Sequence, residues 1–487
     1  MSPASTDPHH ARRWLILAIL GLAQLMVVLD ATIVNIALPS AQQDLGFSDE
    51  SRQWIVTAYA LAFGSLLLLG GRIGDLFGRK WVFIAGLIGF AVASALGGAA
   101  QSFGLLVGAR ALQGLFGALL APAALSLLTT TFTEPSERNK AFGVFGAIAG
   151  SGAAVGLLLG GVLTEYLSWR WCLYVNLGFA GIAAFGAFTL LTNSAHPDKP
   201  RLDVPGTITA SAGLFGLVYG FSHAAETSWS NPTTIVALVG GAVLLTAFVA
   251  IQRRVAHPLL PLRVVLDRDR GGSYLAVGLS GIAIFGVFLF LTYYLQQNLG
   301  FSPIASGAAF LPMTFAIMLT ATTSQTKLLP RVGARPLVGA GLVLGMVGML
   351  YLTGIGTDSS YWTHVFPALL IMGAGFGLIF APAIATATLG VEPGDAGVAS
   401  AMVNTMQQIG GSIGTALLST LAASATTSAL TGKQPTPDLL AQAAVHGYTT
   451  AFYWSAAIFA VAAVVCTALL RGGVHEPSQA GEPVLAH

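Results

Sequence analysis

Long apolar runs, each closed off by a short polar or glycine- and proline-bearing stretch, follow one another along the whole chain. They fall at about 14–39, 53–71, 81–100, 104–131, 141–164, 171–192, 205–223, 232–252, 274–298, 304–326, 337–356, 362–386, 398–424 and 447–470. Each is long enough for a helix across a hydrocarbon layer about 30 Å thick. A helix also satisfies its own backbone, as any lipid-exposed segment must. The pattern therefore predicts an all-α membrane protein with fourteen transmembrane helices and both termini on one side. The shortest strongly charged passage between two runs is Gly71-Arg72-Ile73-Gly74-Asp75-Leu76-Phe77-Gly78-Arg79-Lys80, which must reverse a helical hairpin in water.

Charge fixes the orientation. With Arg12 and Arg13 inside, alternate loops collect 18 of the 22 Lys and Arg; outside lie Arg52, Arg170 and Lys433, and Arg110 falls within a span. By the positive-inside rule both termini are cytoplasmic, although the 387–397 loop has no basic residue and adds nothing. The run after Arg13 is too long for a signal-peptide core and reads as a retained first span.

Composition narrows the function classes. Of 487 residues, 54% are hydrophobic and 9% charged, with a mean hydropathy of +0.75. The two cysteines, Cys172 and Cys466, lie inside apolar runs, so no disulfide framework is indicated. Neither Gly-x-x-x-x-Gly-Lys-Ser/Thr nor His-Glu-x-x-His occurs, which argues against P-loop ATP hydrolysis and a metal site. Gly410-Gly411-Ser412-Ile413-Gly414 spells Gly-x-Ser-x-Gly inside an apolar helix, not at the strand-to-helix turn a hydrolase needs. No enzyme activity is expected.

The chain repeats itself. Gln42-Gln43-Asp44-Leu45-Gly46-Phe47-Ser48 returns as Gln296-Gln297-Asn298-Leu299-Gly300-Phe301-Ser302, Gly78 matches Gly333, and Ala121-Pro122-Ala123 returns as Ala381-Pro382-Ala383. Two six-span halves in the same orientation, separated by an extra pair, explain these offsets. The division is an N-terminal tail (1–13), a first bundle (14–192), the extra pair with its loops (193–273), a second bundle (274–471) and a disordered C-terminal tail (472–487). The extra pair has no partner in the repeat and is expected outside the two bundles.

Four groups of residues are candidates for chemistry. Asp30, within the first span, costs about 2.5 to 3.5 kcal/mol as a bare carboxylate and so must be paired, hydrated or protonated. Arg110 is the other intramembrane charge, in the stripe Arg110-x-x-Gln113-Gly114-x-x-Gly117. The second half has Ile284 and Leu370 at the aligned positions. Gly152, Gly156 and Gly160, with Gly161, recur at a spacing that lets helices approach closely. Polar groups within spans, namely Gln24, Asn35, Gln113, Asn404, Gln407 and Gln408, are candidates to line a substrate cavity. Gln24 and Asn35 share a helical face from which Asp30 is turned away.

The turn residues Gly71, Asp75, Gly78, Arg79 and Lys80 resemble the signature between spans 2 and 3 of the major facilitator superfamily. Leu29-Asp30-x-Thr32-Ile33-Val34-Asn35-Ile36-Ala37-Leu38-Pro39 is similar to the first-span motif of its 14-span drug:proton antiporters. The glycines of the fifth span resemble the antiporter motif Gly-x-x-x-Gly-Pro-x-x-Gly-Gly, with Leu157 at the proline position. Trp169-Arg170-Trp171 and Val175-Asn176 extend the resemblance, with Gly178 where proline is usual.

The resemblance implies an exporter of small amphipathic or toxic molecules, such as drugs or antibiotics, by alternating access in exchange for protons. A nutrient or metabolite transporter of the same fold is the alternative. It implies a monomer in the plasma membrane, whose partners are a small-molecule substrate, protons and the lipid bilayer, with no nucleic acid. No cofactor is needed, since the proton motive force drives it. Asp30 and Arg110 are the implied proton-coupling pair: burial favours the neutral acid and a nearby guanidinium the carboxylate, so a changing environment can load and unload a proton. Gly71, Asp75, Gly78, Arg79 and Lys80, with Glu134 and Glu137, form an implied cytoplasmic latch. In it Asp75 meets the helix start near Ala396 to Ser400, and Arg79 reaches Glu134 or Glu137.

Overall fold

Helices carry the chain in a computed structural model that describes residues 12–48, 51–132, 134–192, 203–255, 258–388, 391, 396–434 and 436–473. In chain order they are α1 (Arg13–Leu45), α2 (Gln53–Phe77), α3 (Arg79–Gly98), α4 (Phe103–Thr131), α5 (Pro135–Tyr166), α6 (Trp171–Leu190), α7 (Val204–Glu226) and α8 (Pro232–Gln252). After a single turn at Leu262–Val265 come α9 (Arg268–Asn298), α10 (Pro303–Val332), α11 (Ala334–Leu352), α12 (Tyr361–Ala387), α13 (Ala396–Leu430) and α14 (Pro437–Leu469). There is no strand among the described residues. Twelve of the helices are long and apolar enough to cross a membrane; α2 and α5 contribute shorter apolar stretches, Gln53–Leu67 and Val155–Tyr166. The expected C-terminal tail beyond Gly473 lies outside the described residues.

Helix starts follow local chemistry. Pro135, Pro232, Pro303 and Pro437 occupy the first turns of α5, α8, α10 and α14, where a missing N–H costs nothing. Ser102 and Thr436 accept hydrogen bonds from Leu105 N and Leu439 N as N-caps. Several helices outrun their apolar cores: α1 continues past Pro39 to Leu45, and α14 begins at Pro437, ahead of the apolar run from 447. Hydropathy marks the layer a helix crosses, not the polar turns that protrude from it.

The repeat is structural. In the first half α1 packs on α5 and α6, α4 on α2 and α3, and α3 on α6. In the second half α9 packs on α13 and α14, α12 on α10 and α11, and α11 on α14. Backbone conformation repeats too. Gly46 and Gly300 have φ of 67° and 66°, and Gly78 and Gly333 have φ of 92° and 77°, values that a side chain would strain. Each repeated segment bonds to the other half: Tyr293 Oη donates to Gln42 Oε1 at 2.6 Å, and Gln296 Nε2 donates to the Ile36 carbonyl at 3.3 Å.

The extra pair joins this frame through one helix. α7 packs against both α2 and α13, with Tyr219 5.9 Å from the Trp54 ring, whereas α8 packs on α7. At Gly213 and Gly220 an added methyl would lie 2.9 Å and 2.7 Å from Leu245 and Leu238 of α8. Asp203 caps α7 through the Gly206 N–H and accepts from Gln252 Nε2 at 2.6 Å, closing the base of the hairpin.

Lys80 has a structural task. Its ammonium donates to the carbonyls of Phe188 at 2.9 Å and Leu191 at 2.6 Å, where α6 leaves carbonyls without helical partners. A cation there is worth about 0.3–1 kcal/mol. Lys80→Met should therefore lower the thermal midpoint of the purified protein by about 1–2 °C, read by unfolding in detergent.

Candidate functional site

Inside the first half, one buried carboxylate is held by side chains from neighbouring helices. Asp30 of α1 is 0% exposed and Arg110 of α4 1%. Arg110 Nη1 donates to Asp30 Oδ2 at 2.6 Å. The other carboxylate oxygen, Oδ1, accepts from Gln113 Nε2 at 2.9 Å and from Asn176 Nδ2 of α6 at 2.7 Å. Ser94 Oγ of α3 accepts from both of those amides, at 2.8 Å and 3.3 Å. Arg110 also donates from Nη1 to Gln113 Oε1 at 2.9 Å and from Nε to the Ile55 carbonyl at 3.2 Å, and its guanidinium lies 4.5 Å from the Tyr59 ring centre. A buried charge pair is costly unless its remaining lone pairs and protons are met. Here the cage meets them with groups from five helices.

Local sequence builds this arrangement. Arg110 and Gln113, three residues apart on α4, share a face and reach one oxygen each. α1 is held close by the glycine ladder of α5: a methyl at Gly152 would lie 3.0 Å from Val28, at Gly156 2.1 Å from Thr32 Oγ1, and at Gly160 2.9 Å from Ile33. These contacts bracket Asp30. Beyond the cage, Trp169 Nε1 donates to Asp44 Oδ2 at 3.0 Å, Arg170 pairs with the same carboxylate, and Arg170 Nη2 donates to the Ala100 carbonyl at 2.9 Å. The ends of α1, α3 and α6 are thereby tied together. Above Asp30 the space between α1, α2, α4 and α6 is apolar, lined by residues such as Val34, Ile55, Leu106 and Cys172.

The sequence candidates divide accordingly. Asp30 and Arg110 come together as expected. Gln113, expected to line a cavity, is instead fully buried and spent on Asp30, because its place one turn from Arg110 faces the bundle interior. Asn35 is also buried and bonds back to the Ala31 carbonyl of its own helix, at 3.3 Å. Gln24 is half-buried. On α13, Asn404 is exposed, and Gln407 and Gln408 are half-buried. A methyl at Gly64 of α2 would lie 3.2 Å from Gln408 Cβ, so this residue sits where the halves meet. Ser94 and Tyr59 were not singled out from the sequence. A lone serine or tyrosine in an apolar span carries no signal until a neighbouring helix is placed beside it.

Glu137, in the first turn of α5, pairs with Arg13 of α1, whose guanidinium lies next to it once α1 and α5 are in contact. Glu134 is exposed at the start of α5. Gly71 packs against Pro122, at 3.7 Å from an added methyl. The expected contact of Asp75 with Ala396 to Ser400 lies outside the described side chains.

At the end of the molecule away from Arg13 the two halves touch. Glu165 Oε2 accepts from Ile304 N, at the start of α10, at 3.0 Å. A methyl at Gly161 would lie 2.5 Å from Ile304 Cα, and one at Gly307 2.4 Å from the Leu157 carbonyl. Gly161 thus leaves the ladder on α1 and serves the seam. Leu157 is fully buried at that seam in an unbroken α5. Arg52 stacks on Tyr293, 4.0 Å from the ring centre, beside the Gln42 and Gln296 contacts.

Comparison with known proteins places this architecture. The sequence matches the family profile described as Major Facilitator Superfamily over residues 20–415. It is 49% identical over 472 residues to the puromycin resistance protein of Streptomyces alboniger, covering 96% of this chain and 94% of that one. It is 39% identical over 407 residues to the cephamycin export protein of Amycolatopsis lactamdurans, covering 83% and 84%. Its fold superposes on a bacterial homolog of the human lysosomal transporter Spinster with a TM-score of 0.64 at 15% identity, over 96% of this chain and 98% of that one. With its paired helical halves and these matches, the chain belongs to the major facilitator superfamily of membrane transporters.

Proposed function

We propose that this transporter exports small amphipathic or toxic molecules, antibiotics among them, in exchange for protons entering the cell. The observation that carries the reading is the enclosed Asp30–Arg110 pair: one titratable carboxylate, caged in one half, where the aligned positions of the other half hold apolar Ile284 and Leu370. A proton arriving at Asp30 cancels its attraction for Arg110 and turns an acceptor-only group into a donor, so the cage must rearrange. That links protonation to the packing of α1, α4 and α6. The names of the relatives, resistance to puromycin and export of cephamycin, support an antibiotic-like substrate and outward direction. In this reading α2 and α5 complete fourteen spans, both termini face the cytoplasm of a plasma-membrane monomer, and the proton motive force is the energy source.

The test is antibiotic efflux from vesicles containing the purified protein, with an imposed pH gradient. Efflux against a gradient that stops when a protonophore is added supports proton exchange. Gradient-driven uptake of a metabolite, or efflux indifferent to the protonophore, overturns it.

A further inference from the structure

Within the cage one atom has nothing to do. Asn176 is fully buried and its Nδ2 serves both Asp30 and Ser94, but its Oδ1 is a buried acceptor without a partner. Native proteins rarely leave such an atom unpaired, and those that do call for an explanation. Every other amide or guanidinium atom named around Asp30 works as a donor or acceptor. With an ionised Asp30 the cage needs only N–H donors. Once Asp30 carries a proton, its new O–H needs an acceptor, and the spare oxygen is already in the cage.

We propose that Asn176 is a positioning residue for the proton step: it donates through Nδ2 to the carboxylate and, when Asp30 takes a proton, turns its amide so that Oδ1 accepts the new O–H. No bond other than the O–H on Asp30 is formed, and no further group gains or loses a proton. Ser94, whose hydroxyl can donate or accept, follows the turn by changing role. The ionisable groups around Asp30 are Arg110 from α4, Tyr59 from α2 and Cys172 from α6. From α3 the polar group that faces the cage is Ser94, and α5 presents its glycine ladder. The inference rests on the reading of Asp30 as the proton site.

The experiment measures substrate-induced proton release against pH in reconstituted vesicles. Asn176→Ala removes both the donor that holds the carboxylate and the acceptor that waits for its O–H, so substrate-induced proton release should fall about tenfold across the profile. Asn176→Ser, which keeps one donor and overpacks nothing, should recover part of the release, and Asp30→Asn should show no release for either substitution to change. A profile unmoved in both variants overturns the proposal while Asp30→Asn still abolishes coupling. Coupled transport surviving in Asp30→Asn instead overturns the parent reading. Infrared difference spectra of the wild-type protein, acid minus neutral, need no Asn176 variant to fold. A protonated-carboxyl band absent from Asp30→Asn should appear together with a shifted side-chain amide band, and the carboxyl band alone, with the amide unmoved, also overturns the proposal.

Discussion

Asp30→Ala should abolish proton-coupled transport and also lower the stability of the folded protein by about 3–5 kcal/mol. The second effect follows from what is left behind: a guanidinium 1% exposed, with Gln113 Oε1 and the Ile55 carbonyl as its remaining oxygen partners. A buried charge whose counter-ion is removed costs far more than the pair was worth. Deleting both charges separates stability from function. Asp30→Leu combined with Arg110→Met removes the orphan, and buried pairs exchanged for apolar groups of similar volume are often no less stable. The double variant should therefore regain most of its thermal midpoint in detergent while remaining uncoupled in vesicles. If the double variant is as unstable as Asp30→Ala, the pair is holding the bundle together in a way its charge balance does not explain.

Gly161→Val should leave the first half folded but strongly disfavour closure of the seam between α5 and α10. The added methyl would lie 2.5 Å from Ile304 Cα and 2.8 Å from the Pro303 carbonyl, backbone atoms that cannot swing away as a side-chain tip can. Overpacking of this kind costs about 1–3 kcal/mol, or roughly 5- to 150-fold in the population of the closed arrangement. Spin labels at Leu167→Cys and Gln297→Cys should report a longer separation, and turnover should fall with the closed population. Gly156→Val is the contrasting case. Its methyl meets Thr32 Oγ1 and the Leu29 carbonyl of α1, within one half, so it should depress thermal stability and not the seam distance. Equal seam distances in the wild type and Gly161→Val would refute the assignment of Gly161 to closure.

Much of the fold was legible because the bilayer imposes a coarse code. Apolar run lengths located the helices, and the return of Gln42 to Ser48 as Gln296 to Ser302 announced the two halves, whose Gly46 and Gly300 share one backbone conformation. Asp30 and Arg110 stood out because charge is expensive in a span. Their neighbours did not. Gln113 was visible but misplaced, since periodicity shows which residues share a face and not which neighbour that face meets. Ser94, Tyr59 and the paired role of Asn176 depend on contacts among α1, α2, α3, α4 and α6, none of which is local in sequence. The partner of Glu137 was missed for the same reason: Arg13 lies 124 residues away and is brought near only by the packing of α1 on α5.

α7 lies along one flank, touching α2 of the first half and α13 of the second. A body fastened to two others along one edge works like the spine of a book. Whatever motion parts the halves, their travel is least beside α7 and greatest beside α5 and α10. If the halves part in this way, the contacts at Gly161 and Gly307 are the ones lost in full. With α8 packed outside on α7, the spine also has a backing that keeps lipid from wedging it open.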